Sequence, residues 1–314
     1  MPSYKANAIV LKKTKLGEQD LILTLLSEDG FKIRCVAKGA RKPGSTFSAR
    51  LEVFSVVDLL LYKGKNLDTI TEVKVLDSNV DCRRDVERLS YGAVIAELVE
   101  DTALEGQETP ILFPLTRAGL SSLGRASDEA LPFVTSAYLM KAIAYLGYKP
   151  SFGECTVCGK PNPLDGSGKF SLSAGGWVCG ECLEFAGDDP MDFVDSTTAS
   201  WVNALLGMKF EQIEDMFGGG QSAGEASGTG DGQSAGVASG VDSGQGTGEA
   251  STVDAGQDDS DGQSADNVGA SEEEARNENY NALAGQLLDF CEKWVAVHLG
   301  LKLKSLSYLS HIHA

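Results

Sequence analysis

The chain has 314 residues, 42% of them hydrophobic, and carries 45 Asp plus Glu against 27 Lys plus Arg, a formal net charge of -18. That length accommodates two ordinary domains with a sizeable core. No apolar run approaches the ~20 residues that cross a bilayer, which argues against a membrane partner, and the average charge argues against a polyanion as ligand.

The average misleads at the N-terminus. Residues 1–80 hold 13 Lys plus Arg against 9 Asp plus Glu, a net of +4. Met1–Lys5 leads into an alternating, charged segment and not into the apolar stretch of a secretory signal, so a cytoplasmic protein is expected. Ala6–Lys12 alternates weakly, Leu21–Leu26 is a short apolar run, and Asp29-Gly30 is a hairpin signal before Phe31–Ala37. In that last strand Phe31, Ile33, Cys35 and Ala37 share one face, while Lys32, Arg34 and Lys38 take the other. Leu51–Tyr62 and Leu67–Leu76 follow, joined by the turn cluster Lys63-Gly64-Lys65-Asn66. Five short strands within about 80 residues predict a small closed barrel of the OB-fold type.

From Arg83 onward the period turns helical. Val86, Leu89, Ala93 and Ala96 form one stripe, and Phe133, Ala137, Met140 and Ala144 a second that exits at Gly147 and Pro150. Asp195-Ser196 is a cap for a helix carrying Trp201, Leu205 and Met208. Leu287, Cys291, Trp294, Val295 and His298 form a last stripe, ending at Gly300. All four read as bundle core. The predicted class is α+β: a five-stranded OB-fold barrel over 1–80, then a helical domain over 81–314 carrying a four-cysteine module at 150–186.

That module contains the most specific pattern in the chain, Cys155-Thr-Val-Cys158 and Cys179-Gly-Glu-Cys182, with 20 residues between the pairs. Two knuckles at this spacing present four thiolates to one tetrahedral zinc ion, a closed structural site with no position left for substrate. Two disulfides or a redox dithiol are the alternatives. Cys35, Cys82 and Cys291 remain over, which suits a reducing compartment. A zinc enzyme would need three ligands and a bound water, and no His or Glu ligand adjoins the cysteines.

Residues 218–279 repeat Gly-Gln-Ser-Ala, hold 13 Asp plus Glu against one Arg, and contain no Leu, Ile, Phe, Trp or Met. Such a segment cannot offset its chain entropy and is expected to be disordered. It reads either as a solvated linker or as an acidic decoy that competes for the basic N-terminal face.

Lys38-Gly39-Ala40-Arg41-Lys42-Pro43-Gly44-Ser45 is the densest basic loop, directly after the strand that carries Lys32 and Arg34. Cations beside the open face of a small barrel track phosphates through counterion release. Tyr4, Phe31, Phe47, Phe54 and Tyr62 offer stacking platforms, at least half of them expected in the core. No phosphate-cradling Gly-x-x-x-x-Gly-Lys-Ser/Thr occurs. His298, His311 and His313 form no triad, and Glu18 with Asp20 has no evident partner. No catalytic constellation is legible, so a non-enzymatic protein is expected.

Gly17-Glu18-Gln19-Asp20 followed by Leu21–Ser27, the block Gly30–Lys42, and Tyr145–Pro150 leading into the first knuckle together resemble the RecO family of bacterial recombination mediators. The likeness covers most of the chain except 218–279. It implies an OB domain, a helical domain and, in some members, a zinc module. It also implies binding of single- and double-stranded DNA, annealing of complementary strands, and action with RecR to help RecA replace single-strand-binding protein (SSB), whose acidic tail such proteins capture. DNA contact carries over to Lys38, Arg41 and Lys42, and then to Lys32, Arg34 and Arg50. A zinc-stabilised adaptor that binds only proteins stays open beside this reading.

Overall fold

The computed structural model describes residues 2–163, 167–186, 192–218 and 266–312, with side chains in the last segment described for 278–309 and 311. The chain forms two units, Met1–Gly219 with Asn277–Ala314, and Gly220–Arg276. Of the second unit, only the backbone of its C-terminal helical turns is described.

Five strands open the first unit: β1 (Ser3–Leu16), β2 (Asp20–Ser27), β3 (Lys32–Ala37), β4 (Val56–Tyr62) and β5 (Asp68–Asp77). They close into a barrel in the order β1-β2-β3-β5-β4, antiparallel throughout except for the parallel β3–β5 pair. This is the OB-type closure expected from the sequence. Ala8, Val10, Leu23, Leu25, Ile33, Cys35, Leu59, Leu61 and Ile70 fill its interior. Ile33, Cys35 and Ala37 of β3 are buried and Arg34 is exposed, as period-2 alternation requires. The run Leu51–Tyr62 is strand only from Val56; the residues before it turn, and Phe54 sits at φ 71.

A register shift interrupts the β1–β2 pairing between Val10 and Lys12. Ile9 and Leu11 alternate with the inward Ala8 and Val10, and with Leu26, Phe54 and Val56 they face out of the barrel into the core of the helical region. Phe54 is the key of this junction. A Cβ on Gly92 would lie 2.7 Å from the Phe54 ring, so only glycine admits it. Asn79, itself at φ 44, donates its side-chain amide to the Phe54 carbonyl at 2.9 Å.

The helices are α1 (Val86–Thr102), α2 (Leu112–Arg125), α3 (Leu131–Ile143), α4 (Ser196–Gly207), α5 (Phe210–Phe217), α6 (Asp266–Leu299) and α7 (Lys304–Ile312). The stripe expected on α1 is displaced. Val86 is 79% exposed and Leu89 37%, whereas Tyr91, Val94, Ile95, Leu98 and Val99 are fully buried. Leu112, Phe113, Leu120 and Leu123 of α2, Phe210 and Ile213 of α5, and Leu306 and Leu309 of α7 complete the core, all outside the predicted stripes. Residues 128–148, which include α3, are long and apolar enough to cross a bilayer by length and composition, so the sequence does hold one such run. All α3 side chains but Lys141 are buried in this core. The Asp195 cap is present, its carboxylate accepting from Thr198 N at 2.9 Å.

Between α3 and α4 the chain leaves for a small sheet of order β7-β6-β8, built from β6 (Gly168–Ser171), β7 (Gly176–Cys179) and β8 (Phe193–Val194). Phe170 anchors it, with Phe152 at 5.1 Å and Trp294 of α6 at 5.9 Å between ring centroids. The acidic stretch lies mostly outside the described residues. Its end does not: α6 begins at Asp266, so the helix includes residues that composition assigned to a disordered segment reaching 279. Ser271–Arg276, with three Glu and an Ala, is good helix sequence once apolar residues follow it.

Candidate nucleic-acid interface and metal centre

The basic loop leaves β3 at Ala37 and caps one end of the barrel. Ala40 and Leu51 are buried in the barrel core, and Phe47 packs against it. Between these anchors Lys38, Arg41, Lys42 and Arg50 are exposed. Three hydrogen bonds fix the loop to the β1–β2 turn. Gly39 N donates to Asp20 Oδ1 at 2.7 Å, Arg41 N to the Gln19 carbonyl at 2.9 Å, and Arg41 Nη1 to the Gly17 carbonyl at 2.9 Å. Gly39 takes φ 66, a left-handed conformation that lets the chain reverse there. The segment Gly17–Asp20 thus has a local purpose that no pattern of spacing could show: its last carboxylate positions a loop 19 residues later.

The six sequence-selected cations are not equivalent. Lys38, Arg41 and Lys42 share one loop, while Arg50 stands at its far end with Nη1 3.5 Å from the Val73 carbonyl. Arg34 projects from the outer face of β3. Lys32 is half-buried and donates to the Glu100 carbonyl at the end of α1 at 2.8 Å. Lys32 and Arg34 line a groove of about 270 Å³ together with Lys12, Thr14, Ile22, Thr24 and Glu100. Lys12 was overlooked in the sequence because the weak alternation of β1 hid which of its lysines face outward. Of the aromatic platforms only Tyr62 is well exposed, at 40%; Phe54 is core, and the Tyr4 hydroxyl is bound to Asp68.

The second candidate is the cysteine cluster. The sulfurs of Cys155, Cys158, Cys179 and Cys182 all lie within 4.8 Å of one another. Cys158 Sγ and Cys179 Sγ are 3.7 Å apart. Zinc–sulfur bonds of about 2.3 Å in a tetrahedron require sulfur–sulfur edges of about 3.8 Å, so this pair matches a shared cation. None of the seven cysteines of the chain forms a disulfide. Burial alone would raise the Cys155 thiol, yet backbone N–H groups of Cys179, Cys158 and Val157 converge on its sulfur and bring it down to about 6. Burial, with hydrogen bonds to the neighbouring sulfurs, pushes Cys182 up to about 12. Four sulfurs this close cannot all ionise without a cation between them, and a thiophilic divalent ion removes that conflict. Cys35, Cys82 and Cys291 differ in kind: burial first of all holds each near 12, so they are inert core thiols. His298 hydrogen-bonds the Leu172 carbonyl through Nε2 at 2.9 Å and packs on Trp294, a structural role.

Comparison with known proteins bears on both candidates. Residues 1–79 match the family model described as recombination protein O N terminal, and residues 83–227 match recombination protein O C terminal. The boundary between the two matches falls where β5 ends and α1 begins. The chain is 35% identical over 211 residues to the DNA repair protein RecO of Cutibacterium acnes (strain DSM 16379 / KPA171202), covering 66% of this chain and 83% of that protein. The chain belongs to the recombination protein O family. It is also 39% identical over 183 residues to the DNA repair protein RecO of Desulfitobacterium hafniense (strain DSM 10664 / DCB-2). That match covers 58% of this chain and 65% of that relative. Family membership places the chain in DNA repair and recombination.

Proposed function

We propose that the chain is a non-enzymatic recombination mediator of the cytoplasm, associated with the nucleoid when on DNA. Residues 1–80 form the domain that binds single- and double-stranded DNA, with Lys38, Arg41 and Lys42 as the main phosphate contacts and Lys32, Arg34 and Arg50 beside them. Residues 81–314 form the helical domain, in which Cys155, Cys158, Cys179 and Cys182 hold a structural zinc ion over 150–186 and 218–279 is an acidic insert. The zinc supplies cross-linking only, since four thiolates leave it no open position.

The mechanism is screening and alignment. Two complementary single strands repel through their phosphates, and cations that neutralise both without gripping the bases let pairing proceed. With RecR, and by capturing the acidic tail of SSB, the chain then helps RecA onto SSB-coated DNA. One observation carries this reading: three cations stand exposed on a loop whose backbone is held by buried anchors and by the β1–β2 turn. Their geometry is ready before the polyanion arrives, so little ordering cost opposes binding.

Strand annealing on SSB-coated complementary oligonucleotides tests it. The wild-type chain should accelerate pairing, and Lys38→Ala/Arg41→Ala/Lys42→Ala should lose most of that acceleration. The surplus of 18 negative charges favours the other reading, an adaptor that binds only proteins. Filter binding at low salt separates the two, because an adaptor retains no oligonucleotide.

A further inference from the structure

The groove beside the basic loop contains an acid where a cationic surface for phosphates should have none. Lys12, Thr24 and Arg34 stand opposite one another on β1, β2 and β3 and form a single cross-strand row. Lys32, two residues before Arg34 on the same strand, belongs to the same outer face. Into this row reaches Glu100 from α1. Its carboxylate oxygens lie 3.1 and 3.0 Å from Lys12 Nζ, and its main-chain carbonyl takes the Lys32 bond. Arg34, exposed in the same groove, makes no hydrogen bond or ion pair among the described residues.

We infer that Glu100 occupies the place of a backbone phosphate on Lys12, so that this groove is a second nucleic-acid contact whose strength Glu100 sets. The inference rests on the DNA-binding reading proposed above and extends it to two residues outside that reading, Lys12 as a contact and Glu100 as its competitor. Three features support it. The Lys12 side chain is 55% exposed and that of Glu100 23%, so the pair is solvent-screened and separable. The carboxylate engages Lys12 through both oxygens, as two oxygens of a phosphate would. The remaining wall already has the form of an anion contact, with the Arg34 guanidinium, unpaired among the described residues, beside the threonine-bearing face of β1 and β2. A strand leaving the basic loop along β3 would meet Arg34 and, turning across β2 in the same row, reach Lys12. It would have to displace Glu100 to use Lys12, so Glu100 weakens binding and quickens release. A mediator that must hand its strand on benefits from that.

Fluorescence anisotropy of labelled oligo(dT) with the full chain provides the test. Glu100→Gln keeps the main-chain carbonyl that holds Lys32 and frees Lys12. It should tighten binding roughly 3- to 5-fold at low salt, the scale of a lost exposed ion pair. It should also steepen the log–log salt dependence by about 0.7, one added single-strand phosphate contact. Glu129→Gln, which removes the same charge from the helical region, should change affinity by less than about 1.5-fold. Lys12→Ala/Glu100→Gln should lose the gain, and Glu100→Ala should reproduce it. Unchanged affinity in Glu100→Gln, an equal gain in Glu129→Gln, or a gain that survives without Lys12 would each overturn the inference while leaving DNA binding intact. If neither the wild-type chain nor Glu100→Gln binds the oligonucleotide, the DNA-binding reading falls with it.

Discussion

Two excursions from regular structure, the loop 38–50 and the cysteine module 150–186, are held in place by different means. The loop has no core of its own and borrows one: Ala40 and Leu51 sit in the barrel interior, and Asp20, Gln19 and Gly17 bind its first turn. The module joins the helical core through Phe170 and Leu172 but has a small core of its own around the cysteines, of Cys155, Trp177, Val178, Cys179, Cys182 and Ala186. Half of that core is cysteine from the candidate metal cluster. A core this small offsets little chain entropy by burial alone, so the proposed metal cross-link is expected to supply the difference. The loop should therefore tolerate loss of any one tie, whereas the module should fail as a unit.

The largest expected effect concerns the module. Structural zinc sites in small peptides are worth about 10–16 kcal/mol, enough to decide whether such a segment folds. Metal analysis of chain purified without chelator should find one zinc per chain. Cys179→Ser should lose it, and hydrogen exchange over 151–186 should then become fast. The barrel should keep its protection; loss there would mean that the module supports the whole chain and that the contrast with the loop is wrong.

Asp20→Ala sharpens the other side of the comparison. It removes one hydrogen bond to Gly39 N, worth about 1 kcal/mol, which is a shift of roughly 2–4 °C in thermal midpoint for a chain of this size. Single-strand affinity should fall about 3-fold, because the cations remain but their loop is less ordered. A fall as large as that of the triple cation variant would show that Asp20 does more than position the loop.

The smallest effect lies away from both. Glu97 on α1 accepts from Lys304 N at 3.0 Å and Ser305 N at 2.9 Å, and from the Ser305 hydroxyl, so it caps α7 from another helix. Burial tends to raise its carboxyl, but these bonds outweigh burial and hold it below the ordinary range. A carboxyl depressed in the folded state stabilises fully above its unfolded value and loses that contribution as pH falls through its folded value. Thermal unfolding should therefore show less dependence on acidic pH in Glu97→Gln than in wild type, with a loss of about 1 kcal/mol at neutral pH.

The barrel was legible because its signals are local. Alternation in β3, the Asp29-Gly30 turn and the Lys63–Asn66 turn each act within a few residues, and the four-cysteine spacing is a local pattern repeated twice. The helical region was legible only in part. Helix α1 packs against α2, α3, α7 and the barrel, so no single stripe describes it, and its exposed first turn carries Val86 and Leu89. Helix α2 contains Pro114, Gly119 and Gly124, which interrupt an apolar period. Gly119 is there because the Tyr138 ring comes within 2.8 Å of where its Cβ would stand. The contacts of Asp20 with Gly39 and of Glu100 with Lys12 were invisible because each joins residues brought close only by the fold.

The salt dependence of oligo(dT) binding by the full chain, compared with Lys38→Ala/Arg41→Ala/Lys42→Ala, tests the central claim most directly. Three lost phosphate contacts should make the slope of log affinity against log salt shallower by about 2. Equal slopes for the two proteins would contradict the account, since those side chains would then not meet phosphate at all.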